Sequence, residues 1–150
     1  VREELSKLDI LEYKGIVVVK STITPYYLTK FKKDFKLKIV YNPEFLRESS
    51  ADYDFINPDM QILGGKWRDC EVVEKAYVRH SSVKVVPTFK TDMVTASMLK
   101  YTVNSWLATK VAFFNELQAK KIRRSNVICT ISKHIITQCN ATATGKLSRR

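Results

Sequence analysis

The sequence predicts a doubly wound α/β domain that gives way to one long helix. Three features of its 150 residues carry this reading. Short apolar runs alternate with segments of helical period, the order of strands and crossover helices in an open α/β sheet. The clearest run is continuous and β-branched rather than alternating, as in a strand covered on both faces. From about Asp92 the pattern changes, because residues 92–122 contain neither Gly nor Pro and their apolar residues recur at helical spacing.

Residues 2–9 read as the end of a helix. Ile16–Val19, closed by Lys20, Ser21 and Thr22, is the first strand. Thr24-Pro25 opens a helix over 26–34, with Leu28, Phe31 and Phe35 on one face. Residues 36–43 form the second strand, stopped by Pro43, and 44–51 a short helix or turn. Asn57-Pro58-Asp59 is a turn, and the third strand ends at Gly64-Gly65. A helix over 67–79 leads to a fourth strand over 82–89. Residues 1–90 thus read as an incomplete α/β domain holding late strands. In the long helix, Met98, Leu99, Val103, Trp106, Leu107, Val111, Phe114 and Leu117 make a wide stripe. About 30 helical residues span ~45 Å, long enough to bridge two domains or build a dimer interface. A second helix over 126–139 completes a helical region over 91–141, and 142–150 is a frayed basic tail.

The formal charge of +11 is unevenly placed. No acidic residue follows Glu116, and residues 117–150 hold 8 of the 26 basic residues, leaving 18 against 15 acidic ones before them. The body is nearly balanced. The tail has no aromatic residue to stack on bases, which argues against a nucleic-acid site. No apolar run approaches the ~20 residues of a membrane span. The first residues have no apolar core of a signal peptide and no initiator Met, so we expect a chain without a leader, cut from something longer. Three cysteines, Cys70, Cys129 and Cys139, with no C-x-x-C and only two distant histidines, argue against a disulfide framework or a structural zinc. A reducing cytoplasm suits them.

With glycines only at 15, 64, 65 and 145, neither G-x-G-x-x-G nor a P-loop can be written. The polar residues at strand ends remain, where open α/β sheets bind ligands. Ser21 and Thr22 follow the first strand, and Glu44 and Glu48 the second. The two glutamates share a face if their segment is helical; the alternative is a capped turn with two solvated carboxylates. Lys100 and Asn104, also four apart, interrupt an apolar helix. They either snorkel at its edge or present a cation and an amide to an oxygen that becomes anionic.

In order, VVVKSTITP (17–25), YNPEFLRESSA (41–51), NPDMQILGG (57–65) and SMLKYTVNSWLATKVAFFNEL (97–117) resemble the UDP-glucose/GDP-mannose dehydrogenase family. The resemblance covers roughly residues 15–125. It implies the C-terminal part of a Rossmann-like NAD-binding domain, followed by the long central helix of an all-α dimerisation region. The family oxidises the C6 alcohol of a nucleotide sugar to a carboxylate and uses NAD twice. The resemblance places Thr22 at the nicotinamide, positioning water or the substrate hydroxyl, with Ser21 beside it. It gives Glu44 acid–base work in thioester hydrolysis, and Glu48 contacts to NAD and to the substrate loop. Phe45, Leu46 and Arg47 match the segment that wraps the sugar nucleotide. Lys100 stabilises negative charge on the C6 oxygen, with Asn104 as its hydrogen-bonding partner. The implied partners are a nucleotide sugar, UDP-glucose or a relative, and a second copy through helix 92–122.

Departures accompany the likeness. The family's nucleophilic cysteine sits in a Gly-Gly-x-Cys stretch that this chain does not contain. Ser97 stands for the usual Glu, Met60 for Arg and Tyr26 for Gly. The expectation is a truncated homologue that does not complete the oxidation alone. The alternatives are a non-catalytic dimerising or regulatory module, and a nucleic-acid binder acting through the tail.

Overall fold

The computed structural model describes residues 1–119. The elements run α1 (Arg2–Ile10), β1 (Ile16–Val19), α2 (Pro25–Asp34), β2 (Lys38–Tyr41), a 3₁₀ turn (Glu48–Ser50), α3 (Ala51–Ile56), β3 (Gln61–Gly64), α4 (Trp67–His80), β4 (Thr88–Thr91) and α5 (Met93–Ala119). By compactness the chain divides into 1–102 and 103–150. Predicted features over residues 120–122, 126–139 and 142–150, with Cys129 and Cys139, lie outside the described residues.

The first unit is a four-stranded sheet in the order β1-β2-β3-β4. β1 and β2 pair in parallel, as do β3 and β4. β2 and β3 meet antiparallel through Tyr41 and Gly64. The pairings place the last residue of every strand in one row, Val19, Tyr41, Gly64 and Thr91. The antiparallel step departs from a uniformly parallel sheet, and the connection explains it. A parallel step needs a crossover packed on the sheet. Between β2 and β3 the only α-helix is α3, six residues with none buried.

Period-2 alternation divides the core between the two faces. Ile39, Tyr41 and Ile62 face one cluster with Leu5 of α1, Leu28 and Phe31 of α2, and Met93 and Ala96 of α5. Val40 and Leu63 face the other, with Cys70 and Val73 of α4. Each buried Leu, Val or Phe contributes about 1.5–3 kcal/mol. The sandwich of helices on both sheet faces is the predicted α/β architecture. Helices α2 and α4 fall within a residue of the predicted spans.

Two strand expectations change. β1 is not covered on both faces: it is the edge strand of this sheet, and Val18 is 36 % exposed. The fourth strand is not 82–89 but Thr88–Thr91. Pro87 has no N–H to give a ladder, so the pairing of Gln61 with Thr88 begins after it. Val85, read as a strand residue, is 70 % exposed.

α5 begins on a strong cap. The Asp92 carboxylate accepts from the backbone N–H of Val94 (2.9 Å) and Thr95 (3.0 Å) and from the Thr95 hydroxyl (2.6 Å). These bonds, the Thr95 hydroxyl foremost, hold its carboxyl below the usual value. Its first turn lies against Gly64, where an added Cβ would sit 2.7 Å from Ala96 Cβ and 2.9 Å from Met93 Cα. In the second unit the stripe residues Trp106, Leu107 and Val111 are exposed, while Val103, Phe114 and Leu117 are half-buried. Lys110 Nζ lies 5.6 Å from the Trp106 ring centroid. No helix among the described residues is long and apolar enough to cross a membrane.

Two stability measurements follow. Gly64→Ala overfills the β3–α5 contact and should cost about 1–3 kcal/mol in denaturant unfolding; an unchanged midpoint would mean the helix is not seated there. Asp92→Ala should cost about 1 kcal/mol at neutral pH. Because the folded pKa of Asp92 is depressed, its contribution exists above the ordinary carboxylate pKa and disappears as pH falls through the folded value. The gap between wild type and D92A, read from urea midpoints, should therefore close on acidification.

Candidate active site

The row of strand ends gathers the polar residues that follow the strands. Lys20, Ser21 and Thr22 follow β1, and Asn42, Pro43 and Glu44 follow β2. Residues 42–47 are neither helix nor strand, while Glu48 opens the 3₁₀ turn. The helical premise that would put Glu44 and Glu48 on one face therefore does not hold. Ser21 and Thr22 are exposed, and neither hydroxyl has a hydrogen-bond partner among the described residues.

α5 completes the group. Ala96 and Ser97 are fully buried, and Ser97 Oγ donates to the Ile23 carbonyl at 2.6 Å. Ser97 is thus a packing residue. One turn on from Ala96, Lys100 Nζ donates to the backbone carbonyl of Glu44 and lies 5.0 Å from the Phe45 ring centroid. Burial pushes the Lys100 amine below its ordinary value, and the Glu44 charge partly opposes this. Two motifs 56 residues apart are thereby joined.

A residue that the sequence reading passed over lies beside them. Lys20 Nζ pairs with Glu44 Oε1 at 2.7 Å. It also donates to Asn42 Oδ1 (3.3 Å) and Tyr77 Oη (3.1 Å). The available signal was its position, a lysine directly after a β-branched run and directly before Ser21-Thr22.

The remaining candidates sit differently. Arg47 forms a two-pronged pair with Asp54, Nε to Oδ2 at 2.9 Å and Nη2 to Oδ1 at 2.6 Å. This pairing holds the Asp54 carboxyl well below the carboxylate range and raises Arg47. Leu46 is exposed. Asn104 is exposed and belongs to the second unit. A cavity of about 410 Å³ lies elsewhere, lined by Ile16, Val18, Val72, Val73, Ala76, Tyr77 and Ser81, and contains none of the predicted site residues.

The arrangement can do two things chemically. A desolvated ammonium bonded to a carbonyl rather than to a carboxylate keeps its charge for an incoming oxyanion. A carboxylate at the strand ends can exchange a proton with bound water.

The sequence profile of the UDP-glucose/GDP-mannose dehydrogenase family, NAD binding domain, matches residues 3–81, just over half of the chain. An uncharacterized protein of Methanocaldococcus jannaschii is 37 % identical over 139 residues, 88 % of this chain and 15 % of that protein. The UDP-glucose 6-dehydrogenase of Rickettsia conorii is 39 % identical over 108 residues, 68 % of this chain and 24 % of the enzyme. The GDP-mannose dehydrogenase structure from Pseudomonas aeruginosa superposes with a TM-score of 0.61 at 30 % identity, over 73 % of this chain and 27 % of that one. The chain thus spans about a quarter or less of the length of these relatives. Its matched stretch is an NAD binding domain, with NAD as the cofactor, and the chain belongs to the UDP-glucose/GDP-mannose dehydrogenase family.

Proposed function

We propose that this chain carries the late strands of the NAD-binding domain and the start of the central helical domain of a nucleotide-sugar 6-dehydrogenase. Residues 1–90 are the first part and 91–141 the second, with 142–150 as a basic tail. The substrate is UDP-glucose or a related nucleotide sugar. The observation that carries the reading is the bond from Lys100 to the Glu44 carbonyl. It brings the Asn-Pro-Glu-Phe-Leu-Arg-Glu segment and the Lys-x-x-x-Asn helix to one place.

In the proposed reaction the Lys100 ammonium stabilises negative charge on the C6 oxygen as its proton leaves. The Thr22 hydroxyl positions the substrate hydroxyl or a water. The Glu44 carboxylate handles protons in the hydrolytic step. Phe45, Leu46 and Arg47 line the sugar nucleotide. The roles of Glu48 and Asn104 rest on the resemblance alone. The exposed, unpartnered hydroxyls of Ser21 and Thr22 fit the nicotinamide end of NAD, whereas no glycine-rich turn is present to hold its pyrophosphate. When bound, NAD supplies the acceptor for the hydride.

The thiol of the second oxidation is not supplied by Cys70. It is fully buried on the sheet-facing side of α4, its Sγ donates to the Leu63 carbonyl at 3.7 Å, and burial pushes its pKa up. Neither Cys129 nor Cys139 stands in a Gly-Gly-x-Cys stretch, so we expect the chain alone to bind without turning over. A homodimer through the 92–122 helix belongs to the same reading, supported by the exposed apolar residues of the second unit.

Calorimetric titration of the chain with UDP-glucose, then NAD, tests the proposal. We expect saturable binding at micromolar to low-millimolar concentration. Lys100→Ala removes a charged donor, a loss of about 1.5–3 kcal/mol, and should weaken UDP-glucose binding about 10- to 100-fold. No binding of either ligand, or binding indifferent to Lys100→Ala, would overturn it.

A further inference from the structure

Lys20 is the most thoroughly bonded cation of the first unit. An ammonium has three protons to donate. Three acceptors surround Nζ: Glu44 Oε1 at 2.7 Å, Tyr77 Oη at 3.1 Å and Asn42 Oδ1 at 3.3 Å. The Phe55 and Tyr77 ring centroids flank it at 4.8 and 5.5 Å. The acceptors are themselves fixed. Tyr77 Oη donates to Asn42 Oδ1 at 2.9 Å. Asn42, 3 % exposed, donates its Nδ2 to the Ile62 carbonyl and its backbone N–H to the Val19 carbonyl, both at 2.9 Å. A line of bonds therefore runs from the β3 backbone through Asn42 and Tyr77 to Lys20, and ends on the Glu44 carboxylate.

Lys20 donates to Tyr77 and Asn42 and its charge is paired with the Glu44 carboxylate, so it has no unpaired charge to offer a ligand. What it does hold is Glu44, whose segment 42–47 has no helix or strand of its own. Lys100 fixes the Glu44 carbonyl, and Lys20 takes carboxylate oxygen Oε1. Oε2 has no partner among the described residues and is left for a water or a substrate hydroxyl.

We propose that Lys20 is a positioning residue, which holds the Glu44 side chain in one rotamer with Oε2 presented to the nucleotide sugar. The inference rests on the reading of Glu44 as a substrate-contacting group. It adds a residue to the site through rigid anchoring rather than direct contact. Each freed sp³ torsion has three staggered wells. Losing the clamp dilutes the competent rotamer about threefold if χ1 alone is released, and about ninefold if χ1 and χ2 are. Apparent affinity falls by the same factor.

The test uses the full chain in four forms: wild type, Lys20→Met, Lys20→Arg and Tyr77→Phe. Three-bond couplings across the Glu44 χ1 bond are measured by NMR, and UDP-glucose binding by calorimetry. Wild type should show one χ1 rotamer. Lys20→Met should show averaged couplings, with UDP-glucose affinity lower by about three- to ninefold. Lys20→Arg, which keeps a charged donor, should restore both. Tyr77→Phe keeps the charge and the ring but removes one anchor. It should partly average the couplings, and it stands in should Lys20→Met not fold. Adding Glu44→Gln to Lys20→Met should weaken binding no more than Glu44→Gln alone, because Lys20 acts only through that carboxylate. Unchanged Glu44 couplings in both Lys20→Met and Tyr77→Phe, or additive affinity losses, would overturn the inference. If wild type does not bind UDP-glucose, the functional reading fails, while the couplings still decide whether Lys20 fixes Glu44.

Discussion

The site depends on how the first two turns of α5 are seated on the carboxyl ends of the strands. Gly64 ends β3 without a side chain, and the helix backbone fills that space at Met93 and Ala96. Ser97 then reaches the Ile23 carbonyl beyond β1, and Lys100 reaches the Glu44 carbonyl beyond β2. Three consecutive strand ends are tied to one helix by a packing contact and two hydrogen bonds. A larger residue at 64 would lift the helix and draw Lys100 away from Glu44. The Asp92 cap makes the same helix start at a defined residue, which sets the angular position of everything one and two turns later. Fold and site are thus coupled through distances of a few ångströms.

The sheet supports this because its strands end together. Val19, Tyr41, Gly64 and Thr91 stand in one row although β3 and β4 run opposite to β1 and β2. In a uniformly parallel sheet the carboxyl ends share an edge by construction. Here the antiparallel β2–β3 step brings the ends into register by overlapping the tips of the two strands, so the loops after β1 and β2 and the start of α5 still meet.

Much of this was legible in the residues. Continuous β-branched runs and 3.6-residue periods locate the helices and the layered α/β architecture, because burial on a strand face or helix stripe leaves a period in the sequence. The sequence singles out Glu44 by its place after a strand and Lys100 as a cation within an apolar helix, costly unless something satisfies it, and the structure brings the two together. The missed features are those with no local signature. The direction of β3 depends on what α3 fails to cover. The shift of the fourth strand depends on Pro87 and on which β3 residue waits opposite. The pairing of Arg47 with Asp54 is decided by the turn between them. Lys20 looks like the polar stop of a strand until Asn42, Tyr77 and Glu44 are brought around it from two other elements.

The charges of the site are divided with a consequence for its chemistry. Two lysines and one glutamate lie together, and the simplest pairing would neutralise one lysine and leave the other in water. The structure instead gives the Glu44 carboxylate to Lys20 at 2.7 Å and only its carbonyl to Lys100. Lys20 is therefore electrically spent, held in place by Asn42 and Tyr77. Lys100 is partly desolvated and bonded to a neutral oxygen, and desolvation disfavours its charged form, as the lowered pKa reflects. A partly dehydrated cation without a direct carboxylate partner is stabilised most by a negative charge that forms beside it. In the proposed oxidation the ground-state alcohol takes only a hydrogen bond from Lys100, and full negative charge develops on the C6 oxygen as its proton departs. The interaction is thus stronger in the transition state than in the bound substrate, the condition under which binding energy accelerates a reaction. Exchanging the partners, with Glu44 directly on Lys100, would satisfy the cation before the substrate arrived and remove that difference.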